Sequence, residues 1–318
     1  MEIIERYQPE FVLRHAARSE ACSCPACSRA SEGWPQANVK LTTQLRESLD
    51  PGCESVAREL LFNPQAFELQ ISQAEVQGTV ELTAWDEMLN QQCINLAVHP
   101  ALSLEVSLYA IGVLLSKAQQ YLVDDKRDPA LLMSMGEQLA QLAEHGVLEE
   151  QLTMLPVIKE HRLAALKEMG VMRLNLNLPM ADKMSMMLKL SELNIMQPNR
   201  LSERFQELQQ NLAKCQVLTE QPHILRNVLI YRLYQNVFPG IKCENYGLAF
   251  QALTRQFFQL KMLFAVWSAD RQMLSDGEIV TLFSAWFGWD GNCPQAEAAA
   301  VSSDFSLLVG LSLLIDRP

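Results

Sequence analysis

From Trp85 almost to its last residues, the chain repeats apolar side chains every three or four positions, the spacing of one helix face. Leu102 to Val123 is apolar enough for a long, deeply packed helix. Asp128-Pro129 offers an N-cap and a first-turn proline for a helix that Gly146 ends. Pro156 and Pro179 punctuate the middle, ahead of a Met-rich stretch from Met180 to Met187. Ser202 to Cys215, Leu225 to Phe238 and Asn245 to Arg271 read as three further helices, the second stopped by Pro239-Gly240. Ser275-Asp276-Gly277-Glu278 has capping-box spacing before Ile279, Val280, Leu282 and Phe283.

Before Trp85 the pattern changes. The first fifty residues show no period and carry Gly33-Trp34-Pro35 and Asp50-Pro51-Gly52. A short helix follows over Glu54 to Phe62, with Val56, Leu60 and Leu61 on one side. Phe67, Leu69 and Ile71 alternate with polar residues, and Val80, Leu82 and Ala84 do so beyond Gln77-Gly78, which predicts a small β-hairpin. The expected architecture is mainly α: a helical bundle with an irregular cysteine-bearing N-terminal segment and one small hairpin. It divides into a cysteine-bearing segment (1–53), a helical region with the hairpin (54–200) and a C-terminal helical region (201–318).

Composition narrows the class. At 318 residues, 49% hydrophobic and 20% charged, the chain can bury a large core, and sparse Gly (13) and Pro (14) speak against turn-rich β architecture. A net charge of −11 argues against nucleic acid as the main partner. The stretch Gln221 to Met262 is locally basic, with Arg226, Arg232, Lys242, Arg255 and Lys261 against Glu244, and reads as solvated helix surface or as a docking face for an acidic partner. Met1 to Arg6 has no signal-peptide core, and Phe305 to Ile315 is too short to span a bilayer, so a cytoplasmic protein with no membrane partner is expected. In that compartment cysteines are reduced thiols rather than a disulfide framework.

Three of the eight cysteines fall within six residues, Cys22-Ser23-Cys24-Pro25-Ala26-Cys27. Thiolates so close can converge on one soft metal or one cluster, and Cys53 could close the set where the chain loops back. Four thiolates suit structural zinc or an iron–sulfur cluster equally well, and unligated thiols are the plain alternative. His15 is a further candidate ligand, whereas His99, His145, His161 and His223 read as surface or cap residues. No Gly-x-Gly-x2-Gly loop, P-loop lysine, His-Glu-x2-His or Gly-x-Ser-x-Gly occurs, which excludes the easily read nucleotide, zincin and hydrolase chemistries. The Met-rich stretch and the late aromatics read mainly as core. Asn227, Tyr231 and Tyr234 share one helix face and make a candidate pocket wall.

Several segments together resemble the flagellin lysine-N-methylases. Gln8-Pro9-Glu10-Phe11-Val12 followed by Cys22, Cys27 and Gly33-Trp34 is similar to that family's start. Cys53-Glu54-Ser55-Val56-Ala57-Arg58-Glu59-Leu60-Leu61 resembles its later Cys-Pro-Glu-x-Ala-Arg-x-Leu-Leu segment. Arg226 to Tyr234, running on to Val237-Phe238-Pro239, resembles its Glu-Asn-Tyr-Leu-x-Tyr helix, and Leu274 to Val280 matches its next helix start in order and spacing. The segment between Trp34 and Cys53 is shorter here than in the family and lacks its further cysteines and Tyr-Pro-Arg motif.

The resemblance implies methyl transfer from S-adenosylmethionine to flagellin lysines and a [4Fe-4S] cluster. On that reading Cys22, Cys24, Cys27 and Cys53 are the candidate cluster ligands. Asn227, Tyr231, Tyr234 and Tyr246 are the candidates to hold the cofactor, because aromatic faces attract a sulfonium cation. Two other readings stay open at this point. One is a non-catalytic, shortened relative whose helical body binds flagellin or another protein; the other is a helical adaptor with a zinc knuckle.

Overall fold

A computed structural model of the chain describes residues 2–18, 22, 24, 26–27, 35–76, 80–213, 215–269, 274–290 and 302–314. Gly33-Trp34, the Gln77-Gly78 turn and Cys293 lie outside the described residues. The chain is mainly α, with one small mixed sheet. The helices are α1 (Glu10–Ala16), α2 (Glu54–Phe62), α3 (Ala84–Val98), α4 (Leu104–Val123), α5 (Pro129–Glu144), α6 (Val147–Met154), α7 (Lys159–Glu168), α8 (Met180–Ile195), α9 (Pro198–Ala213), α10 (Gln216–Glu220), α11 (His223–Gln235), α12 (Tyr246–Ser268), α13 (Asp276–Asp290) and α14 (Ser303–Ser312). No helix among the described residues is long and apolar enough to cross a membrane.

Local signals set most helix ends. Thr83, Ser103, Asp128, Asn245 and Ser302 each accept a main-chain N–H of the helix they precede. The capping box forms as expected: Ser275 Oγ accepts from Glu278 N–H, and Glu278 Oε2 accepts from Ser275 N–H. The helix expected from Ser202 starts earlier, at Pro198, a residue suited to a first turn. In the Met-rich stretch only Met186 enters the core, while Met180 and Met184 are exposed.

The β element is present but pairs differently from the expected hairpin. Strands β1 (Glu2–Pro9), β2 (Val39–Lys40), β3 (Gln44–Arg46) and β4 (Leu69–Val76) form a sheet of order β2-β3-β1-β4. β4 runs antiparallel to β1 along its whole length, and β3 runs parallel to β1. Val80 only bridges to Leu41. The N-terminal segment, expected to be irregular, thus supplies the strand that holds the sheet together. Leu69 and Ile71 are exposed rather than buried, because β4 is an edge strand and only Phe67, just before it, turns inward onto Phe11 and Tyr234.

One buried cluster runs from Phe11 to Leu314. At its centre α11 is buried on nearly every side and packs on α2 and α3. Beside it the long α12 packs on α4, α9 and α14. The ring of Phe250 on α12 sits between Gly112 of α4 and Gly310 of α14; a Cβ at either glycine would lie 2.8 Å from that ring. Gly247 is tighter still, since a Cβ there would come within 1.9 Å of the Ser303 carbonyl oxygen. Backbone cannot swing aside as a side chain can. Gly247→Ala is therefore expected to cost at least about 3 kcal/mol by forcing α14 off α12. Gly136→Ala, which meets only the flexible end of Gln92, is expected to change stability by less than about 1 kcal/mol. Urea unfolding of the two variants checks the contrast, and equal losses would contradict the packing described.

Four cations of the locally basic stretch have partners within the chain. Arg232 is buried against Asp290, Lys261 pairs with Glu105, Arg255 faces Glu168, and Arg226 donates to the Leu102 carbonyl. Arg226 and Lys261 come together beside Glu105, while Arg232 and Arg255 turn to partners elsewhere.

Candidate metal centre and helical cleft

The turn Asp50-Pro51-Gly52 delivers Cys53 to the N-cap position of α2, with Gly52 N–H donating to Asp50 Oδ1 and Cys53 N–H to the Asp50 carbonyl. Cys22, Cys24 and Cys27 return to this point after α1, which packs on α2. The four sulfurs lie within 4.8 Å of one another. Cys53 Sγ is 3.6 Å from the sulfurs of both Cys22 and Cys27, and Cys27 N–H points at Cys24 Sγ (3.5 Å). None of the four is in a disulfide. Cys27 and Cys53 are buried, and Cys22 and Cys24 half-buried. The sequence-predicted set is therefore assembled, and it could hold a metal. His15 is not part of it: its ring meets Ser55 Oγ.

Crowding shows in the acid–base behaviour of the metal-free thiols. Burial pushes the Cys53 thiol up to about 12 against the opposing pull of the Val56 N–H. Burial drives Cys27 upward as well, where the Cys53 and Cys24 sulfurs add to the rise. At Cys22 burial acts in the same sense but is outweighed by hydrogen bonds from Cys24, Cys53 and Cys27, so its thiol falls below the ordinary value. Four negative sulfurs at this spacing need a cation between them.

Four cysteine thiolates are the donor set of a structural zinc ion and of an iron–sulfur cluster alike, so these residues could hold either. Two sulfur pairs at 3.6 Å within a set spanning up to 4.8 Å do not choose between them.

The four predicted cofactor-holding residues are engaged elsewhere. Asn227 Nδ2 donates to the carbonyls of Leu60 and Asn63, stapling α11 to the end of α2. Tyr231 donates to the Leu49 carbonyl and Tyr234 to the Tyr7 carbonyl, while Tyr246 Oη accepts from Trp85 Nε1. Asn227, Tyr231 and Tyr234 do share a face of α11, but Tyr246 belongs to another neighbourhood, on α12 beside Trp85. Tyr231→Phe, which leaves the Leu49 carbonyl without its donor, is expected to lower stability by about 1–2 kcal/mol. It should leave any S-adenosylmethionine KM unchanged. A KM raised tenfold in a variant of unaltered stability would place Tyr231 at the cofactor instead.

A site that sequence reasoning missed lies between α4, α9, α10, α11 and α12. It is a cleft of about 350 Å³, within the range of small-molecule sites, with walls that include Leu104, Leu212, Leu218 and Leu225. Glu105, Lys261 and Arg226 supply its charge. Burial alone would raise the Glu105 carboxyl, but the Lys261 ammonium against it holds it below the usual carboxylate range. None of Asn227, Tyr231, Tyr234 or Tyr246 lines this cleft. The available signal was a lone charge inside each apolar run: Glu105 between Leu104 and Val106, Lys261 between Leu260 and Met262.

Every residue lining the cleft falls within residues 90–288, the span matched by the model of the FliB lysine N-methylase C-terminal domain. The cysteine centre precedes that span. The chain is also 24% identical over 268 residues to a lysine-N-methylase of Salmonella choleraesuis (strain SC-B67), covering 81% of this chain and 66% of the relative. It is 24% identical over 226 residues to a lysine-N-methylase of Salmonella typhimurium (strain LT2), covering 68% and 56%. The matched region thus spans less than two thirds of either relative's length. No solved structure matches the chain. With the central helices and all walls of the cleft inside the matched span, the chain belongs to the FliB lysine N-methylase family.

Proposed function

We propose that the protein transfers methyl groups from S-adenosylmethionine to lysines of flagellin, and that the cleft beside Glu105 and Lys261 is where this happens. The observation that carries the reading is the family match, which encloses every wall of the cleft. Flagellin as substrate rests on the resemblance of the N-terminal and helical motifs.

S-adenosylmethionine would supply a methyl group on a positively charged sulfur. The chain's own residues supply the surroundings. Arg226 and Lys261 offer positive charge to a carboxylate, and Glu105 offers negative charge to a sulfonium. Leu212, Leu218 and Leu225 form an apolar wall that excludes water and favours a neutral lysine amine. As the N–C bond forms the S–C bond breaks, and the amine releases its proton to solvent. Positioning, rather than a strong base, is what such a reaction needs.

The test is incubation of the purified protein with flagellin and S-adenosylmethionine, read by peptide mass spectrometry. Added methyl mass on flagellin lysines is the expected result. Unmodified flagellin that is nevertheless retained by the protein would make the chain a binding module instead.

A further inference from the structure

We infer that the outer edge of β4 is a docking surface for an extended, cationic segment of a partner protein, which adds to the sheet as a further strand. Nothing in this inference depends on methyl transfer. Three observations carry it. The first is an edge without protection. Natural sheets blunt their outer strands by short length, lysine, proline or a bulge. The opposite edge, β2, has only two residues. β4 has eight, Leu-Gln-Ile-Ser-Gln-Ala-Glu-Val, with neither lysine nor proline. It pairs with β1 residue for residue from Glu2↔Val76 to Pro9↔Leu69, so no bulge interrupts it. No strand lies beyond it among the described residues.

The second observation is where its main chain points. Glu10 N–H donates to the Glu68 carbonyl, and the Tyr7 carbonyl accepts from Glu47 N–H on the β3 side. Main-chain groups alternate sides along a strand, so Leu69, Ile71, Gln73 and Glu75 present theirs outward. The side chains of these four residues share one face of the sheet. Ile71 is 64% and Leu69 44% exposed, apolar surface that a neighbouring strand would cover. The third observation is charge. No lysine or arginine occurs between Arg58 and Lys117, and Glu68, Glu75 and Glu81 are exposed at or near this edge. A second copy of the strand would bring the same carboxylates with no cation to meet them. A cationic segment complements them. Directly opposite residues share a face, so an antiparallel partner places lysine beside Glu75 and apolar residues beside Ile71 and Leu69, the pattern Lys-x3-Val-x-Val.

A fluorescein-labelled peptide of that pattern, with Thr and Ser at the x positions, is titrated with the full chain and followed by polarisation. Saturable binding is expected. A peptide with Glu in place of the Lys should bind at least about fivefold more weakly. So should a scrambled peptide of unchanged composition, which separates register from general attraction to a chain of net charge −11. Gln73→Pro removes an outward N–H and spares the β1 ladder; it should weaken binding at least about tenfold with the melting temperature within a few degrees. Should proline disturb the strand, Glu75→Lys gives a second reading: it should reverse the preference and bind the Glu peptide better, which unfolding cannot do. No saturable binding to the folded parent, or an unchanged preference in Glu75→Lys, would overturn the inference. A parent that sediments as a dimer and that Gln73→Pro returns to monomer would also overturn it, giving the edge to a second copy. No methyl donor or flagellin is present, so this reading and the proposed activity fail separately.

Discussion

Asn90→Ala is expected to destabilise the protein by about 4 kcal/mol. Asn90 is completely buried, and its side chain makes three hydrogen bonds of 2.9 Å. Its amide donates to the carbonyls of Leu233 and Phe238, at the end of α11, and its oxygen accepts from Arg46 Nη1 on β3. Alanine would leave the Phe238 carbonyl without this donor, at about 1–3 kcal/mol, and would strip a partner from a buried guanidinium. It would also take one of two donors from the Leu233 carbonyl, which keeps Phe238 N–H. Burial already pulls the Arg46 guanidinium below its ordinary value, so it has little water to fall back on. A further cost lies nearby. Val237 sits between the two bonded carbonyls at φ 48°, a left-handed conformation that costs a β-branched residue about 1–2 kcal/mol. Asn90 clamps the chain on either side of it. Urea unfolding gives the number, with Gln91→Ala, on the exposed side of α3, as a control expected to stay within about 0.5 kcal/mol. A loss under about 1 kcal/mol would mean that the sheet and α11 are not held together here.

Filling the cleft should abolish methyl transfer without unfolding the chain. Leu218 stands on the short α10, half-buried and at the cleft's wall, so Leu218→Trp can occupy the space with little strain on the core. On the proposed reading kcat/KM for flagellin falls at least about a hundredfold while the melting temperature stays within a few degrees, because substrates lose the position that the reaction depends on. Parent-like turnover in a folded Leu218→Trp variant would move the reaction out of this cleft. Glu105→Gln is a weaker probe. It strips Lys261 of its countercharge and would perturb stability and binding together.

What the sequence disclosed divides along the distance over which each feature is determined. The α2 boundaries, the Asp128-Pro129 start of α5 and the Ser275–Glu278 box are decided within a few residues, and the structure has them where the pattern placed them. The sheet is decided by pairing over long separations. Tyr7 lies beside both Arg46 and Ile71, and no local signal makes Ile71 pair with Tyr7 rather than with the Val80 run that follows it closely in sequence. The metal set lay between these cases. Three cysteines announced themselves by proximity, and Cys53 joined them through a turn that its neighbours Asp50, Pro51 and Gly52 made readable. Spacing alone placed Asn227, Tyr231 and Tyr234 on a common face, yet it could not say that main-chain carbonyls would take their polar atoms. The cleft left least trace, being assembled from one to three residues of each of five helices.

Arg46 also donates to the carbonyl of Tyr234, 188 positions further along the chain. During synthesis the guanidinium therefore waits in water until α11 has emerged from the ribosome. Through that interval the β1–β4 pair can form, but it has no helical body to lie against. Its outward Ile3, Leu69 and Ile71 then face the crowded interior of a cell on an edge open to other strands. Production of this protein should accordingly suffer most when nascent chains are abundant, and slower, cooler expression should raise the soluble yield.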